Sequence, residues 1–344
     1  MPPPKAKNKK STKSSKLRAI SDKRGDSQVP VDLQQLLLNI FKNSFSERLH
    51  ANIQPLLQEV KGHLYNRDFL TAFGRDDYLE AYAARWSPSR ALGYLQVLVN
   101  VQDRLETISK SSNEENKAAA KVVCLGGGAG AEIVALGGFL NLLNRSTNAG
   151  VPSRIVDIVA IDIANWTAVV ENLRQNIVTA PPLSNYASAA AHSANSPLAM
   201  TENLVVSFHQ HDILSTDFAV IGPLIEDAGL ITIMFTLNEL YSTSLSLTQK
   251  FLLNLTRRLK EGALLLVADS PGSYSTVSLN GAEKKYPMQW LLDHTLLRQG
   301  SKGEEPMWMK IEEDESKWFR LPPSLSYPID LENMRFQMHL YRRI

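Results

Sequence analysis

The turn that follows the first apolar strand of the main domain is rich in glycine and is typical of a cofactor site. Residues 122–132 read Val-Val-Cys-Leu-Gly-Gly-Gly-Ala-Gly-Ala-Glu, with glycine at Gly126, Gly127, Gly128 and Gly130. Without a Cβ atom, the backbone can fold under a ligand and approach it closely. The spacing fits two cofactors. It contains the dinucleotide pattern G-x-G-x-x-G/A, which ends at Ala131, and the G-x-G-x-G turn of S-adenosylmethionine (SAM) methyltransferases.

Polar residues also follow the next three apolar strands. Asp162 ends the run 158–161, where its carboxylate could accept both hydroxyls of a cofactor ribose or could cap the next helix. His211 and Asp212 follow the third strand, and residues 238–241, Asn-Glu-Leu-Tyr, follow the fourth. Because these groups stand at consecutive strand ends, we expect them to form one pocket.

The elements that must position these groups alternate between strands and helices. The apolar pattern predicts strands at 122–126, 155–161, 204–208, 230–235 and 263–268, and helices at 130–143, 165–177 and 244–260. This alternation is typical of an α/β protein with a doubly wound, Rossmann-like parallel sheet. In such sheets the ligand lies beyond the carboxyl ends of the strands.

The chain divides into regions of different composition. Residues 1–30 contain nine Lys or Arg and two Asp, and we expect a disordered basic tail that suits a polyanion or a nuclear address. Residues 31–115 predict an N-terminal helical region, in which Ser87-Pro88 begins a long helix and 109–117 form a linker. The remaining domain, 116–344, includes residues 179–203, of which 17 are Ala, Ser, Pro or Asn, and we expect a disordered insertion there.

Several classes of protein are excluded by the composition. No apolar run approaches the roughly 20 residues that span a bilayer, so we expect a soluble, intracellular protein without a membrane partner. The single cysteine, Cys124, excludes an intramolecular disulfide. His209 and His211 are two residues apart and would point to opposite sides of a strand, so we expect no metal.

Three segments together carry a resemblance to a known family. The glycine turn 124–132, the segment 235–241 and the upstream segment 85–94 (Arg-Trp-Ser-Pro-Ser-Arg-Ala-Leu-Gly-Tyr) resemble the fungal 25S ribosomal RNA (uridine-N(3))-methyltransferases. The resemblance covers roughly residues 35–344. It implies a class I SAM-dependent fold with seven strands, the last antiparallel, and methylation of one uridine in large-subunit RNA. Residues 335–341 alternate as an edge strand of that kind would.

The resemblance also implies roles for the cofactor residues. The glycines of the turn, Gly126, Gly127, Gly128 and Gly130, would approach the methionine part of SAM. Asp162 would bind the ribose, and Asp212 would accept the exocyclic amine of adenine, unless it only caps the turn before Leu214. The implied partner is ribosomal RNA or a pre-ribosomal particle, and the implied location is the nucleus or nucleolus, with the cytoplasm left open.

The acceptor side of the reaction is predicted from residues after the fourth strand. Glu239 is our first choice of base, with Asn238 donating to a uracil carbonyl, Tyr241 stacking on the ring and Asp269 as a second choice of base. The alternative is that Asn238 and Glu239 begin a helix and that Tyr241 lies in the core. Asn238-x-x-Tyr241 lacks the two prolines of the Asn-Pro-Pro-Tyr loop of amino-nitrogen methyltransferases, which leaves the target atom open.

The segment upstream of the domain predicts RNA contacts. Arg85, Trp86 and Arg90 could grip phosphates and stack on a base, although Trp86 could instead pack in the core with the arginines in solvent. Two other functions stay open at this point. One is a nicotinamide-dependent oxidoreductase, and the other is a catalytically silent SAM-fold subunit that holds RNA.

Overall fold

The computed structural model describes residues 29–50, 52–105, 119–145, 153–279, 282–297 and 306–344. Almost all of the predicted basic tail and the whole of the predicted linker lie outside these residues. In 275–279 and 282–284 the backbone alone is described.

A seven-stranded sheet forms the centre of the molecule, in the order β3-β2-β1-β4-β5-β9-β8. The strands are β1 (Ala120–Leu125), β2 (Val156–Asp162), β3 (Leu204–Gln210), β4 (Leu230–Met234), β5 (Leu264–Asp269), β8 (Trp308–Phe319) and β9 (Met334–Arg343). Strands β1 to β5 pair in parallel, whereas β9 runs antiparallel to β5. The predicted α/β class and the antiparallel last strand are confirmed. A separate hairpin pairs β6 (Tyr274–Leu279) with β7 (Ala282–Pro287).

The position of the last strand differs from the prediction. Residues 335–341 were expected at the edge of the sheet, but β9 lies between β5 and β8 and is buried along most of its length. The alternation in this segment comes from two different apolar layers rather than from solvent on one face: Phe336 and Leu340 pack on one side of the sheet and Tyr341 on the other. The outer edge is β8, whose middle is charged and half-exposed.

Helices cover both faces of the sheet. The N-terminal helices are α1 (Val31–Ser44), α2 (Ser46–His50), α3 (Gln54–Tyr65), α4 (Phe69–Ala72) and α5 (Asp76–Asn100). The others are α6 (Ala131–Arg145), α7 (Thr167–Val178), α8 (Ala189–Ala194), α9 (Phe218–Ile225), α10 (Leu237–Thr243), α11 (Leu245–Arg258) and α12 (Met288–Leu297). Buried side chains of α1, α5, α6 and α7 share one apolar core with the sheet. The helical N-terminal region is therefore packed onto the domain that holds the glycine turn.

Helix α5 runs through the residues that were expected to begin it. Proline has no N–H, so Pro88 cannot bond the carbonyl of Ala84 four residues earlier. Tyr327, between β8 and β9, supplies the missing donor: its hydroxyl lies 2.8 Å from the Ala84 oxygen. Ser87 donates to the carbonyl of Ala129 in the glycine turn at 2.8 Å. The expectation of a helix start at Ser87-Pro88 was wrong because a distant tyrosine satisfies the exposed carbonyl.

Residues 179–203 also differ from their prediction. The segment contains helix α8, which Ser188 caps through the Ala191 N–H, and Leu198 is 1% exposed. Asn141 of α6 donates to the Leu198 carbonyl at 2.6 Å, and Leu198 packs beside Gly137. A composition of small residues suggested disorder, but one buried leucine ties the segment to the core.

Candidate functional site

A cavity of about 840 Å³ lies at the carboxyl ends of the parallel strands. Its wall contains residues from the ends of β1, β2, β3 and β4 on one side and from helices α3, α4 and α5 on the other. Ligand cavities usually measure about 300–1,000 Å³ and lie at this edge of an α/β sheet. The polar strand ends singled out in the sequence therefore meet, in part, at one cavity.

The glycine turn has the backbone that the sequence predicts. Gly126 and Gly130 have φ angles of +80° and +81°, a region that side chains with a Cβ disfavour. A Cβ atom on Gly126 would lie 2.3 Å from Oγ1 of Thr236, at the end of β4. Gly126 itself lines the cavity. The turn can therefore bring two strand ends together only with glycine at this position.

The second half of the turn is held by the end of β2. The Gly128 N–H donates to Oδ2 of Asp162 at 3.0 Å, and the Ala164 N–H donates to Oδ1 at 3.3 Å. A Cβ atom on Gly128 would lie 2.0 Å from the Trp166 ring. Asp162 lines the cavity, and burial raises the pKa of its carboxyl. This carboxylate braces the turn and lies on the cavity wall, and its contact with a ribose stays a prediction.

The glycines do not all face the cavity. Gly126, Ala129 and Ala131 are part of its wall, whereas Gly127, Gly128 and Gly130 turn toward neighbouring side chains. Their role in the structure is to shape the turn. Contacts between those three and the cofactor stay a prediction.

The third strand end adds Asp212 to the cavity wall. Asp212 accepts from the Leu214 N–H at 3.0 Å and from the Ser215 hydroxyl at 2.7 Å, so the turn-capping alternative is realised. The same residue lines the cavity together with Ile163 and Ile213. Apolar side chains beside a carboxylate suit a flat base with an exocyclic amine.

Glu239 is the predicted base that the structure brings to the cavity. It lies in the first turn of α10, and its Oε2 atom is buried without a hydrogen bond. The nearest cation is Arg67, whose Nη1 lies 3.7 Å from Oε2. Arg67 precedes α4 and has a φ angle of +56°, which is unusual for a residue with a Cβ. The cavity wall thus contains a carboxylate whose Oε2 atom lies near a cation but holds no hydrogen bond.

The other predicted residues of this segment lie elsewhere. Tyr241 is 2% exposed and packs in the apolar core around Leu237 and Leu291, so the expectation that it stacks on a base was wrong. It faces the sheet because α10 turns its side chain away from Glu239. Asn238 is not part of the cavity wall; its N–H donates to Asp269 at 3.0 Å.

Asp269, the second choice of base, has a structural role. It is 3% exposed, and its two oxygens accept from the N–H groups of Asn238 and Ser270. Burial raises the pKa of its carboxyl to about 6. It lies outside the cavity wall and joins the end of β5 to the start of α10.

The upstream residues occupy different environments on α5, although all three line the cavity. Arg85 pairs with Glu332, whose side chain is 68% exposed. Trp86 is half-buried and lies 5.0 Å from the Tyr82 ring, so it combines core packing with a place on the wall. Arg90 points inward, where Nη1 donates to the Tyr82 hydroxyl at 2.6 Å.

Several polar or aromatic residues on the cavity wall were given no role by the sequence analysis. Among them are Arg67, Glu132, Phe235 and Glu332. Phe235 has a φ angle of +57° at the end of β4, and such strain is common at functional sites. Glu132, two residues after the turn, carried a signal in the sequence: it is an acid in the apolar first half of its helix.

Comparisons with known proteins identify the family. The model of the family described as "Putative SAM-dependent methyltransferase" matches residues 41–342. The chain belongs to this family. It is also 34% identical, over 327 residues, to the 25S rRNA (uridine(2843)-N(3))-methyltransferase of Saccharomyces cerevisiae; the match covers 89% of this chain and 85% of the yeast protein. The predicted family resemblance is confirmed.

Solved structures match the chain at lower sequence identity. The N-methyltransferase NodS from Bradyrhizobium japonicum in complex with S-adenosyl-L-homocysteine matches with 12% identity, a TM-score of 0.37, and coverage of 77% of this chain and 96% of that chain. A SAM-dependent methyltransferase from Clostridium acetobutylicum matches with 10% identity and a TM-score of 0.33, over 74% and 91% of the two chains.

The methyltransferase uses SAM, and the nicotinamide alternative is wrong. The site fits this cofactor: a Cβ-free turn lines the cavity at Gly126, and Asp162 and Asp212 stand at the two following strand ends. Within the described residues, no group of three or more His, Cys, Asp or Glu could hold a metal ion. In the same part of the chain, no helix is both long enough and apolar enough to cross a membrane.

Proposed function

We propose that this methyltransferase transfers the methyl group of SAM to N3 of a uridine in large-subunit ribosomal RNA. The observation that carries the proposal is the 34% identity to the yeast 25S rRNA (uridine-N(3))-methyltransferase over 89% of the chain. A ribosomal RNA or a pre-ribosomal particle is then the substrate, and the nucleus or nucleolus is the expected location.

The acceptor chemistry requires a base, because N3 of uracil carries a proton that must leave before its lone pair can attack. Glu239 suits this role since its Oε2 atom is buried, free of hydrogen bonds and close to the Arg67 guanidinium. SAM, when bound, supplies an electrophilic sulfonium methyl. A carboxylate oxygen that holds no hydrogen bond has a lone pair with which it can accept the imide proton.

The entrance of the cavity contains groups that suit RNA. Arg67 and Arg85 are cations at the wall, and Trp86 presents part of an aromatic ring there. Guanidinium groups bind phosphates, and aromatic rings stack on bases that leave the helical stack. We expect a flipped-out uridine to enter between α3–α5 and α10.

The test is methyl transfer to RNA. Purified protein is incubated with methyl-labelled SAM and large-subunit RNA from cells that lack the enzyme, and the product nucleosides are identified by mass spectrometry. We expect labelled 3-methyluridine. Binding of RNA without transfer to either naked RNA or pre-ribosomal particles would overturn the proposal in favour of a silent RNA-holding subunit, and label on another atom would show that the acceptor is different.

A further inference from the structure

Two side chains of opposite charge face the cavity from adjacent helices. Glu132 lies in the first turn of α6 and is 5% exposed, and Arg90 lies on α5, which packs along α6. Both are part of the cavity wall, beside the glycine turn. The proposed acceptor chemistry uses neither of them.

The environment of Glu132 lacks a close cationic partner. Oε1 accepts from the hydroxyl of Thr232, on β4, at 3.3 Å. Within the described residues, no ion pair joins Glu132 to a Lys or Arg, although Arg90 is near enough to affect its charge. A buried carboxylate is costly unless it is paired, so this position favours a cationic ligand.

The environment of Arg90 is complementary. Its guanidinium donates one hydrogen bond to the Tyr82 hydroxyl and lies 5.2 Å from the centre of the Phe235 ring. A guanidinium has five N–H donors, and a planar carboxylate can take two of them together. Within the part of the chain that is described, no carboxylate forms an ion pair with Arg90.

A carboxyl and a guanidinium that face one cavity without pairing suit a ligand that carries both an ammonium group and a carboxylate. We propose that Glu132 and Arg90 bind the amino acid end of SAM, with Glu132 taking the ammonium group and Arg90 the carboxylate. Asp162, on the other side of the glycine turn, remains the ribose residue. Arg90, expected from the sequence to contact RNA, is then a cofactor residue.

The test compares two ligands that share the nucleoside. S-adenosylhomocysteine carries the amino acid end, whereas 5′-methylthioadenosine lacks it. Binding of both to the full chain is measured by isothermal titration calorimetry. In Glu132→Gln and Arg90→Gln we expect affinity for S-adenosylhomocysteine to fall by about 10- to 100-fold, which is the effect of one charged hydrogen bond. Affinity for 5′-methylthioadenosine should change by less than about threefold.

Two controls keep the result interpretable. Arg48→Gln removes a half-exposed arginine of α2 that pairs with Glu80 of α5, and it should leave both affinities unchanged. Asp162→Ala should lower the affinity for both ligands by the same factor, because both contain the ribose. Equal losses for the two ligands in Glu132→Gln and Arg90→Gln, or no loss for either, would overturn the proposal, and circular dichroism of each variant identifies misfolding.

Discussion

The cavity has two halves that are built in different ways. One is the glycine turn, and the other is the acceptor wall, which is formed by Arg67, Arg85, Glu239 and Glu332. The second half of the turn is held by the end of the next strand: the Gly128 N–H donates to Asp162, 34 residues later, and Trp166 packs against Gly128. The acceptor wall instead brings Arg67 to Glu239 and Arg85 to Glu332, pairs separated by more than 150 residues. Backbone geometry therefore sets one half, and long-range charge pairs set the other.

The largest expected effect tests the acceptor half. Glu239→Gln removes the proposed base but keeps its shape, so turnover should fall by about 10²- to 10⁴-fold while SAM binding is retained. Single-turnover methyl transfer and calorimetry measure the two quantities. Glu261→Gln, on the exposed turn before β5, is the matched control. Full turnover in Glu239→Gln would show that another group removes the proton.

The next effect tests the turn. Gly126→Ala and Gly262→Ala place a Cβ on residues with φ angles of +80° and +87°, but the first would meet Thr236 at 2.3 Å and the second would meet nothing within 4 Å. We expect Gly126→Ala to lower the free energy of unfolding by about 1–3 kcal/mol more than Gly262→Ala, and to weaken SAM binding. Urea titration measures the free energy of unfolding, and calorimetry measures the affinity for SAM. Equal values for the two variants would contradict this expectation.

An effect of similar size on stability tests how a distant segment supports α5, which carries Arg85 on the acceptor wall. Tyr327→Phe leaves the Ala84 carbonyl without its donor and should cost about 1–3 kcal/mol of unfolding free energy. In a Pro88→Ala background the new N–H can bond Ala84 directly, so the same change should cost less. A double-mutant cycle measures the difference between the two costs. The control is Tyr65→Phe, because Tyr65 is 89% exposed. Additive costs would show that the Tyr327 hydroxyl does not replace the helical bond.

The smallest effect is a pH dependence of cofactor binding. Burial raises the pKa of Glu132 to about 8. The ionisable groups that act on it are Arg90 and Tyr94 from α5, Cys124 from β1 and Asp162 from β2. If the ionised carboxylate of Glu132 binds the ammonium group, the carboxyl must lose its proton whenever the ligand binds at a pH below this pKa. Affinity for S-adenosylhomocysteine should therefore rise from about pH 6 to pH 8, by at most tenfold per pH unit.

Calorimetry in two buffers of different ionisation enthalpy measures this proton release. Glu132→Gln should bind with no such dependence over the same range. A wild-type affinity that is constant between about pH 6 and pH 8 would show that Glu132 keeps its protonation state on binding.

Predictions from the sequence succeeded where a residue acts through its own backbone or its place in a strand. The glycine turn with positive φ angles at Gly126 and Gly130, the place of Asp162 at the end of β2 and the place of Glu239 after β4 all follow from local pattern. They failed where a partner is far away in the chain. Tyr241 illustrates this, because whether a helix turns a tyrosine toward a cavity or a core depends on what packs beside it.

The amino acid sequence alone determined the alternating strands and helices, the glycine turn and the acid after each strand, because periodicity and backbone freedom are local properties. Tertiary structure decided which polar groups face the cavity. It placed Arg67 beside Glu239, turned Arg90 and Glu132 to one wall and let Tyr327 satisfy the carbonyl that Pro88 exposes. These outcomes depend on burial and on contacts between distant segments, which no spacing of residues encodes.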